Sequence, residues 1–237
     1  MFTTLTLSFP STLSTYLCAM STRQPDSSPR LDRSTKLTKV RRGPNGRQVK
    51  APYHHGDLAA KLVEVALELL EGGEEPSLRA VARAAGVSPA APYRHFSDRE
   101  QLISAVAAVG YGELAQRLAA AHPEPADTAQ LADVAVAYVN FALDRPALFK
   151  IMFSGPCDPL NPERVAATAA ISAYVSGIAE RVFPGNDSAT MGTALWATVH
   201  GLAFLYLDGK LDGDSPEQVS AGVRSTIAAA ISAVPAP

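Results

Sequence analysis

The sequence predicts an all-α protein of about nine helices, with a small N-terminal group followed by a larger C-terminal group. Apolar residues recur at three- and four-residue intervals from Leu58 onward, and period-two alternation never persists long enough to indicate a sheet. Alanine is abundant and runs of β-branched residues are rare, which favours helices. Capping residues, glycines and prolines separate the periodic segments, so the helices can be placed along the chain.

The predicted N-terminal group contains four helices whose ends are marked by capping residues. The first begins near His55 and carries apolar residues at helical spacing through Leu70. The fourth is long, runs to about His122 and stops before Pro123. The second, third and fourth helices open at Ser77, at Ser88 followed by Pro89, and at the capping box Ser97–Glu100. The first helix ends at Gly72-Gly73 and the second at Gly86.

The C-terminal group contains five more predicted helices. They open at Asp127, near Pro146, at Asn161-Pro162, at Ala189 and at Ser215, and they end near Asp144, Phe153, Phe183, Leu207 and Pro235. No period in the solenoid range repeats along the chain, so a repeat architecture is not expected.

The first fifty residues differ in composition and charge from the rest of the chain. They hold nine Lys and Arg against two Asp, a net charge of +7, which leaves −9 for the remainder of the 237 residues. Residues 1–52 are rich in Ser, Thr, Pro and Arg without a sustained period, which predicts a disordered basic arm. Two interpretations of residues 30–50 stay open, an arm that tracks a DNA groove and a solvated tail.

The cellular location is predicted from targeting signals, apolar runs and cysteines. Residues 1–20 contain an apolar stretch that no Lys or Arg precedes, so secretion is not expected; a true start at Met20 or later is the alternative interpretation. No apolar run approaches the roughly 20 residues of a membrane span. Cys18 and Cys157 lie far apart without metal-ligand spacing, so a disulfide framework is not expected and a reducing cytoplasm fits. We also expect no membrane contact and no cofactor.

The segment Ser77–Phe96 has the layout of a helix-turn-helix, a motif that places its second helix in the major groove of DNA. Gly86 can adopt a left-handed conformation without steric cost, which lets the chain reverse between the helices. Val87 and Phe96 are expected to be buried and to fix the angle between them. Ser88 is expected to cap the second helix, whose N-terminal end attracts phosphate.

The expected recognition helix begins with small residues. Ala90 and Ala91 allow close approach to base edges, where an alanine methyl can touch a thymine methyl. Donors for phosphate contacts follow at Tyr93, Arg94 and His95. Pro92 has no N–H to close the first turn, so we expect a distorted start and sparse base contacts, supplemented by shape readout and the N-terminal arm.

The N-terminal group resembles the DNA-binding domain of TetR-type transcriptional regulators. The matching segments are Gly56–Leu70, Ser77–Ala82, Ala85–Ser88, Tyr93–Phe96 and Ser97–Leu102. The resemblance implies that Tyr93, His95 and Arg99 clamp the DNA backbone and that Ser77 is a further phosphate contact. This chain has Pro92 where the family usually has leucine, a departure that affects base reading more than the fold.

The same resemblance implies a DNA-binding domain over residues 53–110 and a helical effector-binding and dimerisation domain over residues 111–237. Within the latter, Trp196–Gly201 resembles the Trp/His-Gly signature of one TetR C-terminal subgroup. The last two helices, about 188–208 and 216–233, are rich in Ala and Gly, which allows the close approach of a homodimeric four-helix bundle. Packing within one chain is the alternative.

Large apolar residues on several C-terminal helices indicate a candidate effector pocket. Trp196, His200 and Phe204 stand at four-residue intervals on one stripe of a helix. The full candidate ligand-binding set is Tyr138, Phe141, Phe149, Met152, Phe153, Trp196, His200 and Phe204. An ordinary core with one hydrogen-bonded histidine is the alternative. No metal site is expected, because His54 and His55 have no third ligand at suitable spacing.

The expected function is that of a ligand-responsive, homodimeric DNA-binding regulator. We expect a repressor that an unknown small-molecule effector releases from a pseudo-palindromic double-stranded operator, with the signal passing through the long fourth helix. An enzyme is not expected, because the sequence has no phosphate-binding glycine loop, nucleophile elbow or metal cluster. A helical interaction protein with a vestigial helix-turn-helix is the alternative.

Overall fold

The computed structural model describes residues 55–154 and 160–232 of the chain. These residues form eight α-helices and one 3₁₀ turn, Pro92–Arg94, and contain no strand, so the predicted all-α class is confirmed. The helices are α1 His55–Glu71, α2 Leu78–Ala84, α3 Arg99–Ala121, α4 Thr128–Asp144, α5 Pro146–Phe153, α6 Pro162–Val182, α7 Ser188–Leu207 and α8 Pro216–Ser232. The predictions for the arm 1–52, Cys18, His54, Cys157 and Pro235 fall outside the described residues.

The prediction of a third α-helix capped by Ser88 is wrong. The first backbone hydrogen bond of such a helix would run from the N–H of residue 92 to the Ser88 carbonyl, and Pro92 has no N–H. The chain closes shorter turns instead, with Ala91 N–H donating to the Ser88 carbonyl at 2.9 Å and Arg94 N–H to the Ala91 carbonyl at 3.2 Å. The result is a turn followed by a single 3₁₀ turn, which carries no side-chain cap.

The other caps of the N-terminal group agree with the prediction, with one shift. Ala80 N–H donates to Ser77 Oγ at 3.2 Å, which confirms the cap of α2. At the start of α3 the cap is Asp98, whose Oδ1 accepts from Gln101 N–H at 2.8 Å. Gln101 Oε1 in turn accepts from the N–H of Ser97, the residue before the cap, at 2.9 Å, so Asp98 and Gln101 take the roles predicted for Ser97 and Glu100.

The helices of the C-terminal group begin close to the predicted positions. In all of them except α5, whose N-cap Arg145 makes no side-chain cap, a short polar side chain accepts a hydrogen bond from a backbone N–H of the first turn. The capping residues are Asp127 for α4, Asn161 for α6, Asp187 for α7 and Ser215 for α8.

Helix α3 links the two groups. It packs against α1 of the N-terminal group and against α4, α5 and α6 of the C-terminal group. Val106 in its first half and Leu114 in its second half are both fully buried. A Cβ atom at Gly110 would lie 2.6 Å from Met152 Sδ of α5, so the lack of a side chain at this glycine lets α3 and α5 approach closely.

The C-terminal group is arranged around α4. This helix packs against α3, α5, α7 and α8, while α6 packs against α3 and α7. Phe141 of α4 and Phe149 of α5 are fully buried and lie with ring centroids 6.4 Å apart. The core therefore runs through the centre of this group, with aromatic side chains at its middle.

Candidate DNA interface and effector site

The turn that leads to the candidate DNA surface is a Schellman motif. Gly86 has a φ of 68°, and Val87 N–H donates to the Ala82 carbonyl at 3.0 Å. Gly86 N–H donates to the Arg83 carbonyl at 3.2 Å. The predicted left-handed turn at Gly86 is confirmed. Phe96 is buried and Val87 is half-buried, so apolar side chains hold the two ends of the segment in place.

The predicted phosphate donors lie on the 3₁₀ turn and directly after it. Tyr93 is 51% exposed, Arg94 is exposed and His95 is half-buried. The neighbouring Pro92 is buried, so the turn is anchored on one side and open to solvent on the other. The arrangement can present a hydroxyl and a guanidinium to an anionic surface.

The predicted base-facing residues do not lie on a helix. Ser88 and Ala90 are exposed and Ala91 is half-buried, but all three belong to the irregular turn. Ser88 therefore has no helix N-terminus to cap, and the phosphate attraction expected of such an end is absent at this position. The small side chains still leave room for close approach of a nucleic-acid surface.

Arg99 has a structural contact as well as an exposed end. Its Nε donates to the carbonyl of the buried Pro76 at 3.1 Å, and its Nη2 lies 3.7 Å from Glu75 Oε2. These contacts tie the start of α3 to the loop before Ser77. The predicted phosphate roles of Arg99 and Ser77 stay predictions.

Two exposed arginines near this surface were missed by sequence reasoning. Arg79 and Arg83 lie one turn apart on α2 and are exposed, whereas Leu78, Val81 and Ala82 on the same helix are buried. The available signal was their four-residue spacing, which places both on the polar face of a short amphipathic helix.

In the C-terminal group, His200 of α7 and Tyr138 of α4 are joined by a hydrogen bond of 2.8 Å between Nδ1 and Oη. Aromatic rings surround this pair. The centroids of Phe153 and Phe204 lie 4.5 Å and 4.9 Å from that of His200, and Phe149 lies 5.6 Å from both Tyr138 and His200. The predicted stripe on α7 therefore joins aromatic residues of α4 and α5 in one cluster.

Burial determines the protonation of this pair. It raises the pKa of Tyr138 far above its ordinary value, against a smaller lowering by the Trp196 indole. Burial also lowers the pKa of His200. Both side chains are therefore neutral at pH 7, and the uncharged imidazole offers one donor and one acceptor nitrogen. His200 is thus a hydrogen-bonded histidine inside an aromatic cluster.

Two small cavities lie beside Tyr138 and Trp196 in the C-terminal group, with volumes of about 20 Å³ and 50 Å³. Both are lined by Tyr138, Ile171, Val175 and Trp196. Pockets for drug-sized ligands typically measure about 300–1,000 Å³. A ligand of that size would therefore require side chains around these cavities to move.

The predicted ligand-binding residues divide into two sets. Those that line the two cavities are Tyr138, Phe153 and Trp196. Those that pack elsewhere in the cluster or the core are Phe141, Phe149, Met152, His200 and Phe204. The lining residues that were missed include four on α6, namely Ile171, Ser172, Val175 and Ser176. The four-residue spacing of these missed residues was the available signal. That the predicted residues bind a ligand stays a prediction.

Residues 55–154 and 160–232 contain neither a cluster of metal ligands nor a helix that could span a membrane. Within these ranges, no group of three or more His, Cys, Asp or Glu side chains is placed to hold a metal ion. No helix in the same ranges is both long and apolar enough to cross a membrane.

Two protein-family models match this arrangement of a small helix-turn-helix group and a larger helical group. The model described as "Bacterial regulatory proteins, tetR family" matches residues 62–106, and "Tetracyclin repressor-like, C-terminal domain" matches residues 131–230. Together these matches cover more than half of the chain. The chain belongs to the TetR family. TetR proteins are DNA-binding transcriptional regulators that respond to ligands, and the narrower subgroup resemblance of Trp196–Gly201 stays a prediction.

Individual relatives agree with this TetR assignment. The HTH-type transcriptional regulator Rv1816 of Mycobacterium tuberculosis is 29% identical over 138 residues, which is 54% of this chain and 59% of that protein. A protein of unknown function from Rhodococcus sp. RHA1 is 34% identical, with a TM-score of 0.61 over 75% of this chain and 97% of that one. A TetR family regulator from Marinobacter aquaeolei VT8, 19% identical, has the same fold, with a TM-score of 0.54 over 72% of this chain and 94% of its own.

Proposed function

We propose that this protein is a homodimeric TetR repressor that binds a pseudo-palindromic operator and releases it when a small-molecule effector enters the C-terminal group. The observation that carries the proposal is the course of α3. This helix starts at Arg99, shortly after the exposed 3₁₀ turn ends at Arg94, and farther along it lines the cavities with Tyr111, Leu114 and Leu118. One continuous helix therefore joins the two surfaces, which gives an effector a physical route to the DNA-binding end.

The DNA-binding domain of this proposal covers residues 53–110, and its contacts are mostly to phosphates. The contact residues are Ser77, Ser88, Ala90, Ala91, Tyr93, Arg94, His95 and Arg99, to which we add Arg79 and Arg83. The exposure of Tyr93 and Arg94 on an anchored turn supports this set. Phosphate contacts carry no sequence information, so the proposal gives DNA shape a large share of the specificity.

The effector-binding and dimerisation domain covers residues 111–237, and the dimer forms through α7 and α8. On α7 an exposed stripe contains Ala194, Ala197, Gly201 and Leu205. On α8 the exposed alanines are Ala221, Ala228, Ala229 and Ala230. Small side chains let helices approach closely, and two helices from each subunit complete a four-helix bundle. The two-fold axis of such a dimer matches the symmetry of a pseudo-palindromic operator.

The second candidate function is a helical interaction protein without DNA binding. The observation that favours it is the replacement of the recognition α-helix by a turn and a 3₁₀ turn between Ser88 and Asp98. Under either function the protein acts by binding rather than by catalysis. Action on an operator in a bacterial cell places it in the cytoplasm.

Fluorescence anisotropy with labelled DNA flanking the protein's own gene separates the two candidates. The repressor proposal expects binding at low salt that weakens steeply as salt rises, because phosphate contacts release counterions. An unrelated duplex of the same length serves as the control and is expected to bind more weakly. A protein that binds neither duplex at low salt would favour the interaction protein.

A further inference from the structure

Arg164 on α6 is a buried cation. The residue is 6% exposed, and its guanidinium donates from Nη2 to the Met152 carbonyl oxygen at 3.3 Å. Among residues 55–154 and 160–232, its buried Nε has no hydrogen-bond partner and no carboxylate forms an ion pair with it. A buried charge that is neither paired nor fully hydrogen-bonded costs free energy, which a bound anion would offset.

The location of Arg164 in its helix also favours an anion. Asn161 caps α6, and Arg164 N–H donates to Asn161 Oδ1 at 2.9 Å, so the arginine lies in the first turn of a 21-residue helix. The N-terminal end of a helix carries partial positive charge, which disfavours a cation there and stabilises an anion. The guanidinium and the helix end therefore both favour negative charge near the start of α6.

The Met152 carbonyl connects Arg164 to the cavity region. Tyr111 Oη donates to this carbonyl at 2.8 Å, so Tyr111 and Arg164 converge on one oxygen atom. Tyr111 also lines the cavity of about 20 Å³, together with Trp196. Arg164 therefore shares a hydrogen-bond acceptor with Tyr111, a residue of the cavity wall.

A polar stripe on α6 runs from Arg164 toward the same cavity. Its members follow at four-residue intervals and are Arg164, Thr168, Ser172 and Ser176. Ser172 and Ser176 line the cavity, whereas the Thr168 hydroxyl donates to the Arg164 carbonyl at 2.9 Å. The remaining walls are largely apolar, so the region offers a polar edge along α6 beside an apolar space.

We propose that Arg164 receives the carboxylate of the effector, which is an apolar molecule with a single carboxylate group. This inference rests on the proposed ligand-responsive function. The planar guanidinium matches a carboxylate with two parallel N–H donors. The apolar body occupies the space beside Tyr138 and Trp196, whose displacement would join the two cavities that they both line.

Trp196 provides the readout, because it is the single tryptophan of the chain and lines both cavities. The full chain is titrated with octanoate, decanoate and 4-phenylbutyrate, and with the alcohol of the same skeleton in each case, while Trp196 emission is recorded. At least one carboxylate is expected to bind about tenfold or more tightly than its alcohol, as a charge-assisted hydrogen bond requires. If no carboxylate changes the emission, or if each alcohol binds as well as its acid, the proposal is overturned.

Arg164→Gln keeps a polar side chain and removes the charge. It is expected to lower carboxylate affinity about tenfold or more and to leave alcohol affinity unchanged. The matched control is Arg181→Gln, at the exposed C-terminal end of the same helix, which is expected to keep wild-type affinities. A carboxylate preference that survives in Arg164→Gln would contradict the assignment.

A second variant tests whether the buried charge of Arg164 destabilises the ligand-free protein. Arg164→Met removes an uncompensated buried charge, so the ligand-free protein is expected to have an unchanged or higher Tm. A Tm lower by several degrees would show that Arg164 is held by the fold itself and would overturn the proposal. Asp158 precedes Arg164 by six residues in the sequence and lies outside the described residues. Asp158→Asn is the companion variant and is expected to leave carboxylate affinity unchanged. A tenfold gain would mean that the chain supplies its own counter-ion, which would also contradict the proposal.

DNA binding separates failure of this inference from failure of the proposed function. Arg164→Gln is expected to bind DNA flanking its own gene like the wild type and to lose release by the carboxylate. Carboxylate binding at Trp196 in a protein that never binds DNA would support the site and contradict the repressor function. DNA binding by a protein that takes no carboxylate would support the repressor and overturn the site.

Discussion

Arg145 Nε lies 2.6 Å from Glu71 Oε1, an ion pair that joins the junction of α4 and α5 to the end of α1. The same guanidinium donates from Nη1 to Glu113 Oε2 of α3 at 2.8 Å. Glu71 ends the first helix of the N-terminal group, and Arg145 directly follows α4, which carries Tyr138 of the aromatic cluster. These ion pairs therefore connect the N-terminal and C-terminal groups in addition to the continuous α3. The ion pairs and the helix can each transmit an effector-driven displacement.

Arg145→Gln is expected to lower the free energy of unfolding by about 0.5–2 kcal/mol, because it removes two partly exposed ion pairs of modest individual strength. A double-mutant cycle with Glu71→Gln is expected to show coupling that shrinks as salt rises. The measurement is urea unfolding at low and high salt. Arg117→Gln, which removes a pair with Asp144 inside the C-terminal group, is the control and is expected to show no coupling to Glu71→Gln. Strictly additive effects of Arg145→Gln and Glu71→Gln would contradict the link.

The lowered pKa of His200 makes stability depend on pH. The folded value lies below the ordinary value of 6.5, so below about that pH the unfolded chain binds more protons than the folded one. Stability is therefore lost as pH falls from about 6.5 toward the folded pKa, by at most about 1.4 kcal/mol per pH unit for one proton.

His200→Asn isolates this effect, because asparagine keeps a hydrogen-bonding group near the Nδ1 position and does not titrate. Thermal unfolding followed from about pH 7.5 to pH 5.5 is expected to show a smaller loss of Tm in this variant than in the wild type. His95→Asn, in the N-terminal group, serves as the control and is expected to show the same loss of Tm as the wild type. Equal pH dependence in His200→Asn and the wild type would contradict the assignment.

Pro92→Leu is expected to extend the 3₁₀ turn into an α-helix that starts after Ser88. Residue 92 regains the N–H that donates to the Ser88 carbonyl, and leucine keeps an apolar side chain at a buried position. Amide hydrogen exchange of residues 93–95 is expected to slow, and the ratio of specific to non-specific DNA affinity to rise. Pro89→Leu is the matched control, because the first helical position needs no N–H. Unchanged exchange in Pro92→Leu would show that another constraint holds the turn.

Tyr93→Phe and Arg99→Ala are expected to differ in their effect on the fold. Tyr93 is exposed, so loss of its hydroxyl lowers DNA affinity across all sequences and leaves Tm unchanged. Arg99 also holds the Pro76 carbonyl, so its loss lowers both DNA affinity and Tm. Anisotropy and thermal unfolding of the two variants check this. Wild-type DNA affinity in either variant at moderate salt would exclude that residue from the clamp.

Local capping chemistry explains why most of the fold could be predicted from sequence. Ser77, Asp127 and Asn161 each stand before an apolar period of 3.6 residues, and each side chain satisfies an N–H that the first turn leaves free. The segment after Ser88 was mispredicted because its opening signals are those of a helix. Pro92 removes the first backbone hydrogen bond, and this single missing donor decides the outcome.

The candidate effector site was only partly predictable, because spacing identifies a stripe but not its partners. Trp196, His200 and Phe204 could be grouped from their intervals, and the structure brings them together. The cavity wall on α6 was missed, because serines alternate there with aliphatic residues and the helix has no strongly apolar face. Buried Arg164 could not be inferred from sequence, since a lone arginine beside Glu163 is typical of an exposed helix start.

The central claim, that exposed donors after the Gly86 turn bind the DNA backbone, is tested most directly by the salt dependence of DNA binding. The affinity of the wild type for DNA flanking its own gene is measured from low to high salt, beside that of Arg94→Ala. The variant is expected to bind all sequences more weakly and to reduce the slope of log K against log salt by about 1, the loss of roughly one phosphate contact. An unchanged slope in Arg94→Ala, or a wild type that does not bind DNA at low salt, would contradict the claim.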